Sequence, residues 1–174
     1  MKHYYFDVEL FTKISSGVEK LSKNVKTTLG PAGRNVILAP AGQKAFITKD
    51  GVTVAKFVDL EDPIEDVGAQ ILKQVALQTN NQAGDGTTTS IVLAEELLKN
   101  AKKAVLSGRK PVDIKRGMDL ALKDVLTYLE DRSKKIESLD DIRHIASISA
   151  NNDEEIGKII SMAVDQAGKN GAIN

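Results

Sequence analysis

The sequence predicts a mainly α-helical protein with one small β-hairpin near its start. Three observations carry that prediction. Apolar residues recur three and four positions apart along most of the chain, the spacing that gathers them on one face of a helix. Hydrophobic residues make up 41% of the 174 residues but aromatics only 4%, so the core is built from aliphatic side chains. The four prolines, at positions 31, 40, 63 and 111, all fall where the apolar pattern breaks, so the local signals agree with one another.

The elements follow in order. Leu10, Ile14, Val18, Leu21 and Val25 make one helical stripe, which is expected to stop near Gly30-Pro31 because proline cannot continue a helix. Asn35 to Leu38 and Ala45 to Thr48 read as short strands about the turn residues Pro40-Ala41-Gly42-Gln43, and Thr48-Lys49-Asp50-Gly51 as a strand end entering a turn. Asp62-Pro63-Ile64-Glu65 opens the next helix, with Asp at the cap, Pro at the first helical position and Glu three after the cap. The stripe Ile64, Val67, Ile71 and Val75 continues that helix and runs out at Thr79-Asn80-Asn81-Gln82. A second long helix is expected from the threonines at 87–89 through Leu93, Leu97 and Ala101 to Ser107-Gly108. Pro111 opens a third, with Ile114, Met118, Leu122, Val125 and Leu129 on one face. Shorter helices follow near 140–148 and 152–167.

The run Ala83-Gly84-Asp85-Gly86-Thr87-Thr88-Thr89 concentrates the chemistry of a metal-bound phosphate. Its glycines let the backbone bend and let an anion approach closely. Asp85 can hold magnesium, which takes one or two protein carboxylates together with phosphate oxygens. The hydroxyls and the N–H groups of the helix that begins here can donate to phosphate. The alternative is a capped helix start, but a cap needs one such residue, and three successive threonines are poor helix formers. Two other stretches are suggestive beside it. Thr27 to Arg34 is a helix end running into a glycine-bearing loop that can lay N–H groups against an anion, or else a glycine cap followed by a stop proline. In the second, Lys49 can neutralise phosphate charge and Asp50 can orient a water or help hold a metal.

Composition narrows the alternatives. Lys plus Arg equals Asp plus Glu at 24 each, which argues against nucleic acid as the main partner. No apolar run approaches the ~20 residues of a membrane span, and the first residues lack the apolar core of a secretory signal. Cysteine is absent, and His3 and His144 lie far apart in sequence, so thiol chemistry and a histidine zinc site are not expected. There is no G-x-x-x-x-G-K-[ST] phosphate loop. A reducing, cytoplasm-like compartment fits this composition.

In combination and in order, these stretches resemble the start of a group I chaperonin, the GroEL family. The resemblance rests on Thr28-Leu29-Gly30-Pro31, Gly33-Arg34-Asn35-Val36, the run Ile47 to Lys56, Leu60-Glu61-Asp62-Pro63, Gly68-Ala69-Gln70 and the glycine–threonine motif at 83–89. It continues through Asp113 to Gly117 and Ile148 to Asn151 to Gly168-Lys169-Asn170-Gly171, essentially the whole chain. Group II chaperonins share the Leu-Gly-Pro and Gly-Asp-Gly-Thr-Thr-Thr elements. The Gly-Arg-Asn-Val stretch and the lysine before Asp50-Gly51 favour group I.

The resemblance implies an ATP-driven folding machine of stacked rings. Residues 1–131 would be the first segment of its equatorial, ATP-binding helical bundle, with the hairpin pairing to a neighbouring subunit. Residues 132–174 would begin the helical intermediate domain. Carried over by motif, Thr28, Leu29, Gly30 and Pro31 would lie against the nucleotide phosphates. Asp85 would coordinate Mg2+, and Gly86, Thr87, Thr88 and Thr89 would cradle the phosphates. Lys49 and Asp50 would sit near the terminal phosphate, Asp50 as a supporting catalytic residue that positions water. The implied cofactors are ATP and Mg2+, with K+ a further candidate. The implied partners are other ring subunits, together with a co-chaperonin and unfolded proteins held by an apical domain outside this chain. The returning segments, including the family's catalytic aspartate, also lie outside it. The isolated chain is therefore expected to hydrolyse ATP poorly and to associate through exposed apolar faces. A truncated module that binds nucleotide or full-length subunits without turnover is the alternative. Two departures stand out: Ala32 where the family commonly has lysine, and Leu10-Phe11 where bacterial members usually carry Ala-Arg, near subunit contacts.

Overall fold

The computed structural model describes residues 7–30, 32–42, 44–168, 171 and 173. The order is α1 (Asp7–Lys26), β1 (Val36–Leu38), β2 (Phe46–Thr48), α2 (Gly51–Phe57), α3 (Pro63–Ala83), α4 (Thr87–Leu106), α5 (Pro111–Arg132), α6 (Leu139–Ser149) and α7 (Glu154–Ala167). The fold is mainly α-helical with a two-stranded antiparallel sheet, as the periodicity predicts. The chain forms two compact units, Met1–Gly117 and Met118–Asn174, with the division inside α5.

In the first unit, α1 packs against α3 and α4, with α2 set among all three. The stripe on α1 supplies Val18, Leu21 and Val25 to a core completed by Val54, Ala55, Ala69, Leu72, Ala76 and Ile91. Each large aliphatic side chain buried there contributes ~1.5–3 kcal/mol of hydrophobic stabilisation. The crossing of α1 and α3 is set by two glycines. A Cβ on Gly17 would lie 1.7 Å from the Glu65 carbonyl oxygen, and one on Gly68 would lie 2.1 Å from the Ile14 carbonyl oxygen. The backbones touch there, and no side chain fits between them.

That crossing explains why the expected stripes on α3 and α4 are not the buried ones. On α3 the buried residues are Gly68, Ala69, Leu72, Lys73 and Ala76, whereas Val67 and Ile71 are exposed. Close packing selects small residues, and the larger aliphatics are left outside. On α4, Ile91 and Glu95 turn inward while Leu93 and Leu97 face out. Glu95 is acceptable inside because its carboxylate accepts from the buried Ser22 hydroxyl at 2.7 Å and pairs with Lys26.

One whole helix departs from expectation. The residues after β2 form α2 rather than a turn. Glycine, valine and threonine are weak helix formers, so packing decides this segment: Gly51, Val52, Val54 and Ala55 are all buried. The hairpin has Ile37 opposite Ile47, both largely exposed, with φ of +72° at Gly42 in its turn; Gln43 lies outside the described residues.

The start of α3 is fixed as the sequence indicates. Asp62 caps the N–H groups of Ile64 and Glu65 and pairs with Lys13 of α1. Glu65, however, is turned onto α1, where it accepts from Ser16 Oγ at 2.8 Å and pairs with Lys20 at 2.5 Å. Hydrogen bonding from Lys13, then from the Glu65 and Ile64 N–H groups, lowers the Asp62 pKa from 3.8 to about 2. A carboxylate depressed on folding adds stability above its unfolded pKa and loses it as pH falls through the folded one. The stability difference between the parent and Asp62→Asn is therefore expected to be constant above pH about 4 and to shrink towards pH about 2. Urea midpoints of both proteins across that range check this, and a difference independent of pH would exclude it.

α5 has no buried residue at all. Met118, Leu122, Val125 and Leu129 of its expected apolar face are exposed, and Ile114 is half-buried. In the second unit, α6 and α7 pack against each other through small residues: a Cβ on Gly157 would lie 1.9 Å from Ser147 Oγ. A capping box between Ser138 and Asp141 starts α6, and Asp153 caps α7. Asn151 and Asn152 join the two helices with φ of 59° and 65°.

Candidate functional site

Two of the chain segments singled out in the sequence, at Asp50-Gly51 and at 83–89, meet at the start of α2, with the end of α1 beside them. Gly51, the first residue of that helix, is in contact with Thr88 of α4 and Val25 of α1. A Cβ there would be 2.0 Å from Thr88 Oγ1 and 3.3 Å from Val25 Cγ1. Glycine is thus what lets the beginnings of α2 and α4 approach. Nothing in the Asp-Gly pair announced this, since the same dipeptide suits an ordinary turn.

From α1 comes the loop that ends the helix. Thr28 is buried, and its hydroxyl donates to the Val25 carbonyl at 2.8 Å. Gly30 has φ of +70°, and the chain folds back so that the Gly33 N–H donates to the Gly30 carbonyl and the Arg34 N–H to the Thr27 carbonyl. Leu29, at the tip, is exposed. Pro31 lies outside the described residues.

From the joint of α3 and α4 comes the glycine–threonine motif. Gly84 and Gly86 both adopt left-handed conformations, with φ of 73° and 80°, so Asp85 stands between two reversals of the chain. Asp85 is exposed, and its Oδ1 accepts the Gly86 N–H at 2.6 Å. Gly86 is the N-cap residue of α4 and supplies no side-chain cap, and no acidic residue lies in the helix's first turn. The N–H groups of Thr87, Thr88 and Thr89 thus open a helix whose N-cap residue contributes no side-chain bond to its positive end. The simple capping explanation of these residues does not describe the structure. Thr87 is buried, Thr88 half-buried and Thr89 exposed.

Between β2 and α2 stand Lys49 and Asp50. Lys49 is half-buried. Asp50 is the N-cap of α2. Oδ1 accepts from the Val52 N–H at 3.2 Å, while Oδ2 accepts from the Thr53 N–H at 2.9 Å and from Thr53 Oγ1 at 2.5 Å. Partial burial raises the Asp50 pKa, but the Thr53 hydroxyl, the Thr53 and Val52 N–H groups and the nearby Lys56 outweigh it, and the net shift is downward. The carboxylate is thus held ionised, an acceptor suited to orienting a water or a cation. Thr53 is a member of this arrangement that sequence reasoning did not single out. The signal was present as Asp-x-x-Thr, a cap residue followed three later by one able to bond back.

Residues 21–174 match the family model described as the TCP-1/cpn60 chaperonin family. Among solved structures, the chain is similar to one described as the crystal structure of a group III chaperonin in the open state. That match has 28% sequence identity and a TM-score of 0.74 and covers 90% of this chain. It covers 31% of the other protein, so the chain spans about a third of that length.

Proposed function

The chain belongs to the TCP-1/cpn60 chaperonin family, and from that premise we propose that it is the N-terminal part of an ATP-dependent chaperonin that assists the folding of other proteins. Residues 1–131 are the first equatorial segment and 132–174 the first intermediate segment. Within the family we assign it to group I, on Gly33-Arg34-Asn35-Val36 and on Lys49 before Asp50. The observation that carries the nucleotide reading is the meeting of the α1 end with the starts of α2 and α4, where the N-cap residue of α4 is a glycine with no capping side chain. A polyphosphate suits that place, because N–H groups and the helix dipole both favour negative charge. Thr28, Leu29, Gly30 and Pro31 form the loop against it, and Gly86 to Thr89 the cradle. Asp85 is a single exposed carboxylate at the mouth of the cradle, which suits Mg2+ shared with phosphate oxygens. Lys49 and Asp50 serve the terminal phosphate, Asp50 by orienting water; K+ is a further cation for the site.

The exposed faces support assembly into a ring. Ile37 and Ile47 are exposed on a hairpin that, among the described residues, pairs with no further strand, which fits pairing with a neighbouring subunit. Co-chaperonin and unfolded proteins would be bound by an apical domain, and the compartment is the cytoplasm or an organelle matrix. A second reading, a module that joins full-length subunits without turnover, draws on the exposed Met118, Leu122, Val125 and Leu129 of α5. Co-elution with intact chaperonin on size exclusion would favour it.

The deciding experiment is calorimetric titration of the chain with ATP. Binding at least about tenfold tighter with Mg2+ than with a chelator is expected, with turnover far below that of a complete chaperonin. Absence of binding in Mg2+ would overturn the nucleotide reading.

A further inference from the structure

The Asp50 carboxylate is held by one more bond than a helix cap requires. A cap needs the side chain to accept from the second or third N–H of the helix, and the Val52 and Thr53 N–H groups already provide that. The Thr53 hydroxyl adds a third donor. Thr12, Thr79 and Thr127, within longer helices, each turn their hydroxyl onto the carbonyl four residues back, a carbonyl that Thr53, the third residue of α2, lacks within its own helix. Thr53 instead commits its hydroxyl to Oδ2 of Asp50.

The consequence lies in how the acceptor sites are filled. A carboxylate oxygen offers about two lone-pair directions. Oδ2 receives two donors from Thr53 and is full, whereas Oδ1 receives one, from Val52 at 3.2 Å. Resting on the nucleotide reading above, we propose that Thr53 is a positioning residue that fills Oδ2 of Asp50, locks the carboxylate plane and leaves Oδ1 as the one acceptor offered to the site's water or cation. Asp50 then orients its water through a defined atom and keeps its own charge.

Two measurements on the 174-residue chain test this, using Thr53→Val, which keeps the branched shape, and Thr53→Ser, which keeps the hydroxyl. The first is the 13C titration of the Asp50 side-chain carboxyl in the free protein. Its midpoint is expected to rise in Thr53→Val and to return to the parent value in Thr53→Ser. Equal midpoints in parent and Thr53→Val would overturn the proposal. The second is binding of Mg-ADP with and without aluminium fluoride, which mimics the phosphoryl group in transfer. Thr53→Val is expected to bind Mg-ADP as the parent does but to lose about tenfold of the fluoride-dependent tightening, with recovery in Thr53→Ser. Loss of both equally, with a lowered melting temperature, would mark Thr53 as a cap alone and overturn the positioning role. Should the parent bind no Mg-ADP, the nucleotide reading fails, and the carboxyl titration still decides whether Thr53 governs Asp50.

Discussion

Gly17→Ala is expected to destabilise the first unit by about 3 kcal/mol or more, although alanine is ordinarily the better helix former by ~1 kcal/mol. The sign reverses because the new methyl would sit 1.7 Å from the Glu65 carbonyl oxygen. A backbone atom cannot step aside as a side-chain tip can, so α1 and α3 must separate. That separation would loosen the contacts of Val18, Leu21, Ala69 and Leu72 together. Gly68→Ala, whose methyl would meet the Ile14 carbonyl from the opposite side, is expected to behave alike. Gly117→Ala is the control, since nothing lies within 4 Å of a Cβ at that helical position. It should be neutral or stabilising by up to ~1 kcal/mol. Urea unfolding followed at 222 nm distinguishes them, and a Gly17→Ala midpoint at or above that of the parent would refute the backbone-contact account.

Asp85→Asn is expected to weaken Mg-ATP binding by about a hundredfold, or about 2.7 kcal/mol. The substitution keeps the shape and one acceptor oxygen but removes the charge that a divalent cation requires. Without Mg2+ the expectation changes sign. A carboxylate at the mouth of the cradle repels a bare polyphosphate, so the variant should bind chelator-treated ATP as well as the parent or better. Calorimetry in Mg2+ and in chelator reads both terms. Equal weakening in the two conditions would show that Asp85 shapes the loop without holding the cation.

Much of this was legible in the sequence, and the failures have a common cause. Helix starts were read correctly where a cap and a proline coincide, as at Asp62-Pro63, because those signals act within one turn. The glycine–threonine run stands out in the sequence because it holds more hydroxyl and carboxylate groups than a helix cap needs, and in the structure the cap position falls on Gly86, which has no side chain to cap with. α2 was missed because its residues favour helix only when buried, and burial depends on Val25 and Thr88, far away in sequence. The inward face of α3 was misjudged for a related reason. Periodicity weights a residue by its hydrophobicity, yet the contact with α1 is limited by clearance, so Gly68 and Ala69 turned inward ahead of Val67 and Ile71. The role of Thr53 depends on which lone pairs of Asp50 are filled, something that spacing alone cannot express.

The pairing of distant helices in the first unit also sets an order of events during synthesis. α6 packs on α7, its immediate neighbour in sequence, so that pair closes a short loop and can form quickly. The core around Leu21, by contrast, has no lid until Ile91 is available, and Ser22 and Lys26 wait for Glu95. A chain emerging from the ribosome would hold the α1 stripe covered only by α2 and α3 until the first half of α4 had followed. For that interval this protein is itself a nascent chain with exposed apolar surface, open to misassociation.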